Sequence, residues 1–484
     1  MIKRIVVFFA CTIPLGLFAQ EKWDLRKCVD YAMKNNISVK QADVQARLTA
    51  LNLKQAKLNV YPSAAFTGGL GGQFGRSIDP TTNQFTTTQL LYNNFQLQGG
   101  LEVYNWGRLK NTVQSQQFNF QASLVDIDKA ANDVALNVAT SYLQVLASKE
   151  QINISEIQVA QTKQQYDITK KKVDAGALPE LSLAELESQL ASDSSSLITA
   201  KSTYDVNVLS LKALLNLDAA LPFEVDTPPV DQIPLESFAD LQPDVVFQLA
   251  MVNQPLQKSN DLKIKGGEYA IKASKAGLYP SISVGYNLAT SFSNSLKAVD
   301  PSSYVFNGYN KTGLVISVNN TNYDVLQPSY SYNYKSKSFG NWWQGYGSQL
   351  DQNFRQSVGF NITVPIFNNG TYRIAYEQSK INLQGLKLQK DLADMTLKQN
   401  IYTSYANAVA SYEKYIAGIK TVASSQKAYD FSVKRYEVGL LPTIDLITNQ
   451  NNLLKAKLQQ LTNHYDYVFK MKLLEFFRGQ GLKL

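Results

Sequence analysis

The fold is decided by a short turn that occurs twice along the chain, as Asp174-Ala175-Gly176-Ala177-Leu178-Pro179 and as Glu437-Val438-Gly439-Leu440-Leu441-Pro442. A long stretch without proline precedes each copy: residues 108–175 contain no glycine either, and residues 371–438 contain two glycines. Because glycine and proline often end helices, each stretch predicts one continuous helix of roughly 100 Å, at a rise of 1.5 Å per residue. A returning helix follows each turn. We therefore predict two antiparallel helical hairpins, over residues 108–216 and 371–478, that pack as coiled coils.

Both turns belong to a longer internal repeat. The segment at residues 32–63 aligns without a gap on residues 250–281, an offset of 250 − 32 = 218, and both copies end in Tyr-Pro-Ser. The two turns are offset by 439 − 176 = 263 residues, so the second copy carries an insertion of 263 − 218 = 45 residues. The chain is thus a predicted tandem repeat, with copies at 20–220 and 244–484 and a proline-rich linker at 221–243.

Two-residue alternation follows each Tyr-Pro-Ser triplet and predicts four strands, two within residues 63–104 and one each at about 281–289 and 354–364. Strands of about ten residues can cross a bilayer, but a half-buried soluble sheet produces the same alternation. Periodicity alone leaves both options open. The insertion falls in a predicted loop at residues 290–353, which is rich in Tyr, Asn, Ser and Gly.

The N-terminus has the three-part layout of a secretory signal peptide. Lys3 and Arg4 precede an apolar run at residues 5–18, and the small residue Ala19 precedes a polar segment. The run is too short to span a bilayer comfortably. We expect residues 1–19 to be removed, which lowers the formal charge from +8 by two, to +6. No apolar run of transmembrane-helix length follows, so any membrane insertion would use strands.

The composition disfavours catalysis. The 484 residues include one histidine, His464, and two cysteines, of which Cys11 lies in the predicted signal peptide and Cys28 remains. Multi-histidine metal sites are excluded, and a Ser/His/Asp set would depend on a single ring. We expect no enzyme activity, no metal and no cofactor. The residual charge is not concentrated in a Lys/Arg block, so nucleic acid is not an expected partner.

Two local sequences indicate a family. Val364-Pro365-Ile366-Phe367-Asn368-Asn369-Gly370 is similar to a strand-to-helix junction, and residues 435–446 are similar to a helical-tip motif, both of the TolC family of outer-membrane efflux proteins. The whole predicted mature chain resembles this family. The resemblance implies a homotrimer in which three copies of four strands close a 12-stranded β-barrel in the outer membrane. It also implies a coiled-coil α-helical barrel in the periplasm, with the linker in an equatorial belt.

The same resemblance implies a function. It predicts a passive outer-membrane exit duct of a tripartite efflux or type I secretion system, gated at its periplasmic end. The implied partners are a periplasmic adaptor protein, an inner-membrane transporter reached through the adaptor, and outer-membrane lipid. The alternative is a surface adhesin or ligand-binding protein on the same barrel, which would bind through the loop at 290–353.

The resemblance places the gate just after each turn. In the second copy the corresponding positions are Asp445 and Thr448, and in the first copy they are Ser182 and Glu185. Three copies of Asp445 around an axis would repel one another and attract cations. Asp445 could equally complement the positive end of a helix that begins near Thr443. Ser182 and Glu185 also fit a Ser-x-x-Glu capping box, which we favour for that pair.

The two turns are the predicted docking sites for the adaptor. The residues concerned are Gly176, Leu178, Pro179, Gly439, Leu440, Leu441, Pro442 and Thr443. The alternative is an ordinary turn between helices that uses glycine for a left-handed residue. We favour docking, because the leucines would be apolar groups at an exposed tip. The pair Trp342-Trp343 near the end of the inserted loop is predicted to lie either over the pore mouth, at the lipid interface or in a ligand-binding loop.

Overall fold

The computed structural model describes residues 22–78, 83–86, 90–226, 233–294, 301–333, 343 and 345–479. The predicted signal peptide, Trp342 and parts of the linker and of the 290–353 segment lie outside these residues. The fold is mixed α and β, as the sequence predicts. The first half of the chain contributes four helices: α1 (Leu25–Asn35), α2 (Ile37–Leu58), α3 (Arg108–Asp174) and α4 (Glu180–Leu214).

Each of these helices has a counterpart of equal length in the second half. The counterparts are α5 (Pro243–Asn253), α6 (Pro255–Ala276), α8 (Thr371–Glu437) and α9 (Thr443–Phe477), and a short helix α7 (Tyr346–Gln352) precedes the last two. The four paired lengths are 11, 22, 67 and 35 residues. Both 67-residue helices stop two residues before a left-handed glycine, Gly176 (φ 70°) or Gly439 (φ 79°).

The chain divides into two compact units, and neither is one of the sequence repeats. One unit takes the described residues up to Leu53, Gln114–Tyr269 and the chain from Ser379 on; the other takes Lys54–Val113 and Ala270–Gln378. The predicted division at the linker therefore does not separate compact bodies. The physical reason is that strands of both halves pair in one sheet, while helices of both halves share buried clusters.

The second unit contains a four-stranded antiparallel sheet. Its strands are β1 (Ser63–Gln73), β4 (Leu90–Tyr104), β5 (Ser281–Ser293) and β8 (Arg355–Thr363), in the order β1-β4-β5-β8, and a short pair β2 (Ser77–Ile78) and β3 (Phe85–Thr86) lies between the first two. The register aligns Leu97 with Phe66 on one side and with Leu288 on the other. Most apolar side chains of the four strands consequently share one face.

The segment predicted as a loop at residues 290–353 contains regular structure instead. Strands β6 (Val305–Val318) and β7 (Thr321–Ser331) form a hairpin, and α7 follows. The turn residues Asn319 and Asn320 both have positive φ, 52° and 63°, as a type I′ hairpin turn requires. The prediction of a loop is wrong, because the Val, Ile and Tyr residues of this segment favour strands.

The helical unit is built around two larger buried clusters and one at the turns. The first packs α1 against α3 and includes Cys28 and Tyr142, whose hydroxyl donates to the carbonyl oxygen of Asp226 at 2.6 Å. The second joins α5, α8 and α9 through Val246, Ile401 and Met471. Burial raises the pKa of the Cys28 thiol to about 12 and also raises the pKa of Tyr142, so neither group is poised for chemistry near neutral pH.

Candidate functional site

The two turns have the same backbone hydrogen bonds. At the first, Ala177 N–H donates to Lys172 O at 2.8 Å; at the second, Leu440 N–H donates to Arg435 O at 2.8 Å. These six-to-one bonds, with the glycine one residue earlier in the left-handed region, are Schellman motifs. Each motif satisfies carbonyl groups in the last turn of a long helix and fixes the direction in which the chain leaves it.

The leucines of the turns do not all face solvent. Leu178 and Leu441 pack against one apolar cluster, defined here as the tip cluster, whose buried members are Tyr429, Tyr436, Leu446 and Leu453. The expectation of exposed leucines is therefore wrong for Leu178 and Leu441 and right for Leu440, which is 69% exposed. Pro179 and Pro442 are exposed residues that directly precede α4 and α9, and Thr443 is buried. The structure thus brings parts of both turns together in one cluster.

Two polar contacts join the helical hairpins next to the tip cluster. The hydroxyls of Thr169 on α3 and Tyr436 on α8 are 2.7 Å apart, and Lys172 Nζ donates to the carbonyl oxygen of Glu437 at 2.8 Å. Lys172 Nζ also lies 5.7 Å from the centre of the Tyr436 ring. Burial raises the pKa of the neighbouring Tyr429 above its ordinary value. Sequence reasoning missed these residues, although Tyr436 lies within the tip motif.

Beyond the tip cluster, part of the buried surface between α3 and α4 carries hydroxyls and a carboxylate. Buried residues of α3 recur every seven positions as Ser148, Ser155, Thr162 and Thr169, and those of α4 as Leu186, Asp193 and Ala200. A spacing of seven is the coiled-coil repeat. A search for periodic apolar residues does not find hydroxyl side chains that recur every seven positions. The seven-residue period of Ser and Thr is nevertheless present in the sequence and could have predicted this contact. We call this surface the polar seam.

Asp193 is the centre of the polar seam. It is 4% exposed, and its carboxylate accepts hydrogen bonds from Thr162 Oγ1 at 2.5 Å, Gln158 Nε2 at 3.3 Å and Gln189 Nε2 at 2.7 Å. Gln450 on α9 donates to Thr162 Oγ1 at 2.8 Å. Three helices from both hairpins are therefore linked through one buried carboxylate. Neutral donors satisfy its charge, and each such bond is stronger than one between neutral groups.

The predicted gate residues of the second half lie on the exposed side of α9. Asp445 is in the first turn of this helix, where a carboxylate interacts favourably with the helix dipole. Asp445 is exposed, and its backbone carbonyl accepts from Asn449 Nδ2 at 3.0 Å. Thr448 is also exposed, and its hydroxyl donates to Ile444 O at 2.8 Å. Glu437, the first residue of this turn, is exposed as well, so one protomer presents two exposed acidic residues here.

Ser182 and Glu185 do not form the expected capping box. Helix α4 begins at Glu180 with Pro179 as its N-cap, and Ser182 N–H donates to Pro179 O at 3.1 Å. Ser182 therefore already lies inside the first turn and cannot be the N-cap residue. The proline decided the start because its fixed φ suits the entrance of a helix. Both side chains are half-buried.

The sheet of the second unit presents a wide apolar surface. Phe66, Leu70, Val358, Phe360 and Ile362 are each more than 60% exposed on its apolar face. On the opposite face the side chains are polar; for example, Gln96 Nε2 donates to Asn287 Oδ1 at 2.9 Å. Within the described residues, β1 and β8 each pair along one edge only. Such a surface is far larger than the isolated apolar residues of ordinary soluble proteins.

Other classes of site find little support in the part of the chain that the structure covers. No group of three or more His, Cys, Asp or Glu side chains there could hold a metal ion. His464 stacks on Tyr415 with ring centres 4.1 Å apart. None of the described helices combines the length and the hydropathy needed to cross a membrane.

Comparison with known proteins agrees with this geometry. The sequence profile of the outer membrane efflux protein family matches residues 29–217 and 326–474. The pyoverdine export outer membrane protein OpmQ of Pseudomonas putida is 23% identical over 257 residues, 52% of this chain and 51% of OpmQ. Outer membrane protein TolC of Escherichia coli is 27% identical over 124 residues, 25% of each chain. The matches thus span about half of OpmQ and a quarter of TolC.

The fold is similar to that of a solved channel over almost its full length. The crystal structure of CusC superimposes with a TM-score of 0.72 and covers 96% of each chain at 16% sequence identity. The resemblance predicted from the repeated turn and the strand-to-helix junction is therefore confirmed. This chain is a member of the outer membrane efflux protein family.

Proposed function

We propose that this protein is a passive exit duct of the outer membrane, built from three copies of the chain. The observation that carries the proposal is the apolar sheet face bounded by two strand edges, of β1 and β8, that pair with no other strand among the residues that the structure describes. Lipid cannot satisfy backbone hydrogen-bonding groups, so a sheet in a membrane must close on itself. Three sheets joined from β8 to β1 of the next copy form a 12-stranded barrel with the polar face inside.

The strand lengths agree with a membrane barrel. The four strands contain 11, 15, 13 and 9 residues, and a tilted strand needs about 9–11 residues to cross the hydrocarbon core. The polar inner face then lines a watery pore, which requires no catalytic group. We assign the helical hairpins of three copies to a periplasmic tunnel, through which cargo is delivered by an inner-membrane transporter.

The turns of the hairpins serve both docking and gating in this proposal. Leu440, with the neighbouring exposed Val438 and Ile444, is an apolar patch on a hydrogen-bonded turn that suits a periplasmic adaptor protein. The first-half turn, with the exposed Gly176 and Pro179, belongs to the same docking surface. The Thr169–Tyr436 and Lys172–Glu437 contacts hold the two turns together, and Asp445 with Thr448 lines the constriction. Half-buried Ser182 and Glu185 support it from the first half.

Two neighbouring substitutions test membrane insertion. Phe360 and Asn361 are adjacent on β8, but Phe360 pairs with Val284 on the apolar face and Asn361 pairs with Ser283 on the polar face. Phe360→Arg puts a charge against lipid, at a cost of about 2–4 kcal/mol per copy near the bilayer midplane. We expect this variant to be lost from the outer membrane, while Asn361→Arg inserts normally and changes only pore conductance. Equal insertion of both variants would refute the barrel.

Transport is tested by deletion of the gene. We expect a deletion strain to become sensitive to dyes, detergents and antibiotics and to recover with the wild-type chain. Photo-crosslinking from Leu440 should capture a periplasmic adaptor. Unchanged sensitivity to all compounds would remove the efflux assignment, even if the barrel itself were correct.

A second candidate is a surface-binding protein on the same barrel. The observation that favours it is the β6–β7 hairpin, whose aromatic side chains Phe306, Tyr309, Tyr323 and Tyr330 are exposed. Removal of residues 305–331 separates the two functions. A duct retains export without the hairpin, whereas a surface-binding protein loses attachment to its ligand.

A further inference from the structure

The sheet repeats its own strand pairing. Phe66 of β1 lies opposite Leu97 of β4, and Val284 of β5 lies opposite Phe360 of β8. The offsets of the internal repeat relate these two pairs, since 66 + 218 = 284 and 97 + 263 = 360. The strand pairs β1–β4 and β5–β8 therefore have the same register, and each residue of the first pair has a counterpart in the second.

The third pairing of the sheet joins the two sequence repeats. Leu97 of β4 lies opposite Leu288 of β5. The counterpart of Leu97 is Phe360 of β8, and the counterpart of Leu288 is Leu70 of β1, since 288 − 218 = 70. These counterparts lie on the edge strands, β8 and β1, each of which pairs along one side only in the part of the chain that the structure describes. A second protomer can therefore complete the pattern by placing its β1 beside β8.

Burial along the strands shows what each edge lacks. None of the 13 residues of β5, an inner strand, is exposed, whereas all nine residues of β8 are exposed. Leu97 and Leu288 are half-buried, but their counterparts Phe360 and Leu70 are 77% and 63% exposed. An edge strand also presents a row of unpaired backbone donors and acceptors. A strand from another protomer would cover these side chains and pair these backbone groups.

We propose that β8 of one protomer pairs with β1 of the next in the register that places Phe360 opposite Leu70 of the neighbouring protomer. The inference rests on the proposed duct and adds to it the residues at which the protomers join. In an antiparallel pair the two residue numbers have a constant sum, which is 360 + 70 = 430 here. The joint therefore runs from Ser357 opposite Gln73 to Thr363 opposite Thr67.

The register also keeps both faces of the sheet continuous. Pairing within the protomer puts the even-numbered residues of β1 and β8, including Phe66 and Phe360, on the apolar face. Directly opposite residues point to the same face, so an even sum continues the apolar face of one protomer into that of the next. A slip of one residue would place apolar side chains beside polar ones. A slip of two would keep the faces, and the internal repeat selects 430 among the even sums.

The test joins the protomers through cysteine pairs in isolated outer membranes. Directly opposite residues of antiparallel strands have Cβ atoms about 4.5–5.5 Å apart and diagonal neighbours are about 7–8 Å apart, while a disulfide needs about 3.5–4.5 Å between Cβ atoms. Close and wide pairs alternate along the strands, so one pair is taken from each face. The pairs are Thr67→Cys with Thr363→Cys and Leu70→Cys with Phe360→Cys. After mild oxidation, we expect at least one of them to form a covalent trimer on a non-reducing gel.

Matched pairs inside the protomer control for geometry. Gln98→Cys with Asn287→Cys and Leu97→Cys with Leu288→Cys lie on the same two faces, between β4 and β5. Because the counterpart strands have the same register, the control on the face that links the protomers should close within one chain. Its closure is measured as a loss of free thiols without a change in oligomer size. Cys28 is fully buried and common to all variants.

Slipped pairs test the register itself. Thr67→Cys with Asn361→Cys and Leu70→Cys with Ile362→Cys correspond to sums of 428 and 432, a slip of two residues in each direction. We expect these variants to form about tenfold less covalent trimer than the pair in register, because diagonal Cβ atoms lie beyond the reach of a disulfide.

The outcomes separate the register from the duct. A covalent trimer from a pair in register, without one from the slipped pairs, would establish the joint. Preferential linking of a slipped pair would overturn the register and leave the duct in place. If no pair links the protomers while a control pair closes, the register is also wrong. The native mass of the wild-type protein then decides about the duct, because a mass of three chains leaves it in place and a mass of one chain removes it.

Discussion

Removal of one hydroxyl at the tip cluster should loosen the duct. Tyr436→Phe deletes the hydroxyl that lies 2.7 Å from Thr169 Oγ1 and leaves the aromatic ring in place. Leu178, Leu441 and Leu446 thus keep their packing, and Lys172 keeps its contact with the ring. The substitution isolates the contact between the two hairpins from the stability of each hairpin.

The expected magnitude follows from the hydrogen bond and the symmetry of the proposed trimer. A buried bond between neutral hydroxyls contributes about 1 kcal/mol net. Its loss in one protomer shifts an opening equilibrium roughly fivefold, since about 1.4 kcal/mol corresponds to tenfold. If three copies open together, the loss is about 3 kcal/mol, and the open state gains on the order of 100-fold.

The assay is single-channel conductance in planar bilayers, with a double-mutant cycle. Thr169→Val removes the other hydroxyl and keeps the shape of the side chain, so Tyr436→Phe, Thr169→Val and the double variant close the cycle. We expect each single variant to raise open probability and the double variant to add little to either. Strictly additive effects, within about 0.3–0.5 kcal/mol, would show that the two hydroxyls do not interact and would refute the reasoning.

Three further predictions concern the turns and the core. Asp445→Asn should lower the cation preference of the pore, measured as a shift in reversal potential, whereas Glu180→Gln at the other turn should not; equal shifts would remove Asp445 from the constriction. Gly439→Ala should destabilise the fold by roughly 1–2 kcal/mol in thermal unfolding because its φ is 79°. By contrast, Gly385→Ala lies within α8, where a new Cβ would meet nothing within 4 Å, and should stabilise this helix by about 1 kcal/mol. A Gly439→Ala variant that is more stable than the wild type would contradict the requirement for a left-handed residue at this turn. Cys28 is fully buried, which raises the pKa of its thiol to about 12, against about 8.5 in an unfolded chain. Because the thiol ionises more easily in the unfolded chain, the free energy of unfolding should be unaffected below pH 8.5 and should fall between pH 8.5 and pH 12. A Cys28→Ala variant should show a shallower decline, and rapid labelling of the native thiol at pH 8 would exclude this burial.

Local chemistry explains why some elements are readable from sequence. The long helices end where glycine takes the left-handed conformation, at Gly176 and Gly439. The presence of a glycine after a long stretch without helix breakers is enough to predict such a helix end. The sheet faces follow from two-residue alternation, which is a property of a single strand. The β6–β7 hairpin is harder to predict. Its turn, Asn319-Asn320 between Val318 and Thr321, lies in a segment whose many Asn, Ser and Gly residues also favour a loop.

The candidate site was predicted less well, because it depends on contacts between distant segments. Thr169 and Tyr436 are 436 − 169 = 267 positions apart, and no local pattern pairs them. Ser182 and Glu185 show the opposite error: the capping-box pattern is present, but Pro179 starts the helix earlier. The sequence places Leu178 at the turn of the first hairpin but does not predict that it is partly buried. The residues that it packs against belong to the second hairpin.

The polar seam gives α3 contacts that are specific but weaker than apolar packing. A fully buried leucine contributes about 1.5–3 kcal/mol through apolar burial, whereas a net hydrogen bond contributes about 1 kcal/mol. Because Ser155, Thr162 and Thr169 stand where a hydrophobic coiled coil would have leucines, the free energy needed to separate these long helices is lower. A buried polar group also penalises a wrong register, because a shift of α3 along α4 would remove Thr162 and Gln158 from Asp193 and leave only Gln189 of its own helix. Between the hairpins, Gln450 of α9 donates to the same Thr162 hydroxyl that donates to Asp193, so a shift of one hairpin against the other would break this hydrogen bond as well.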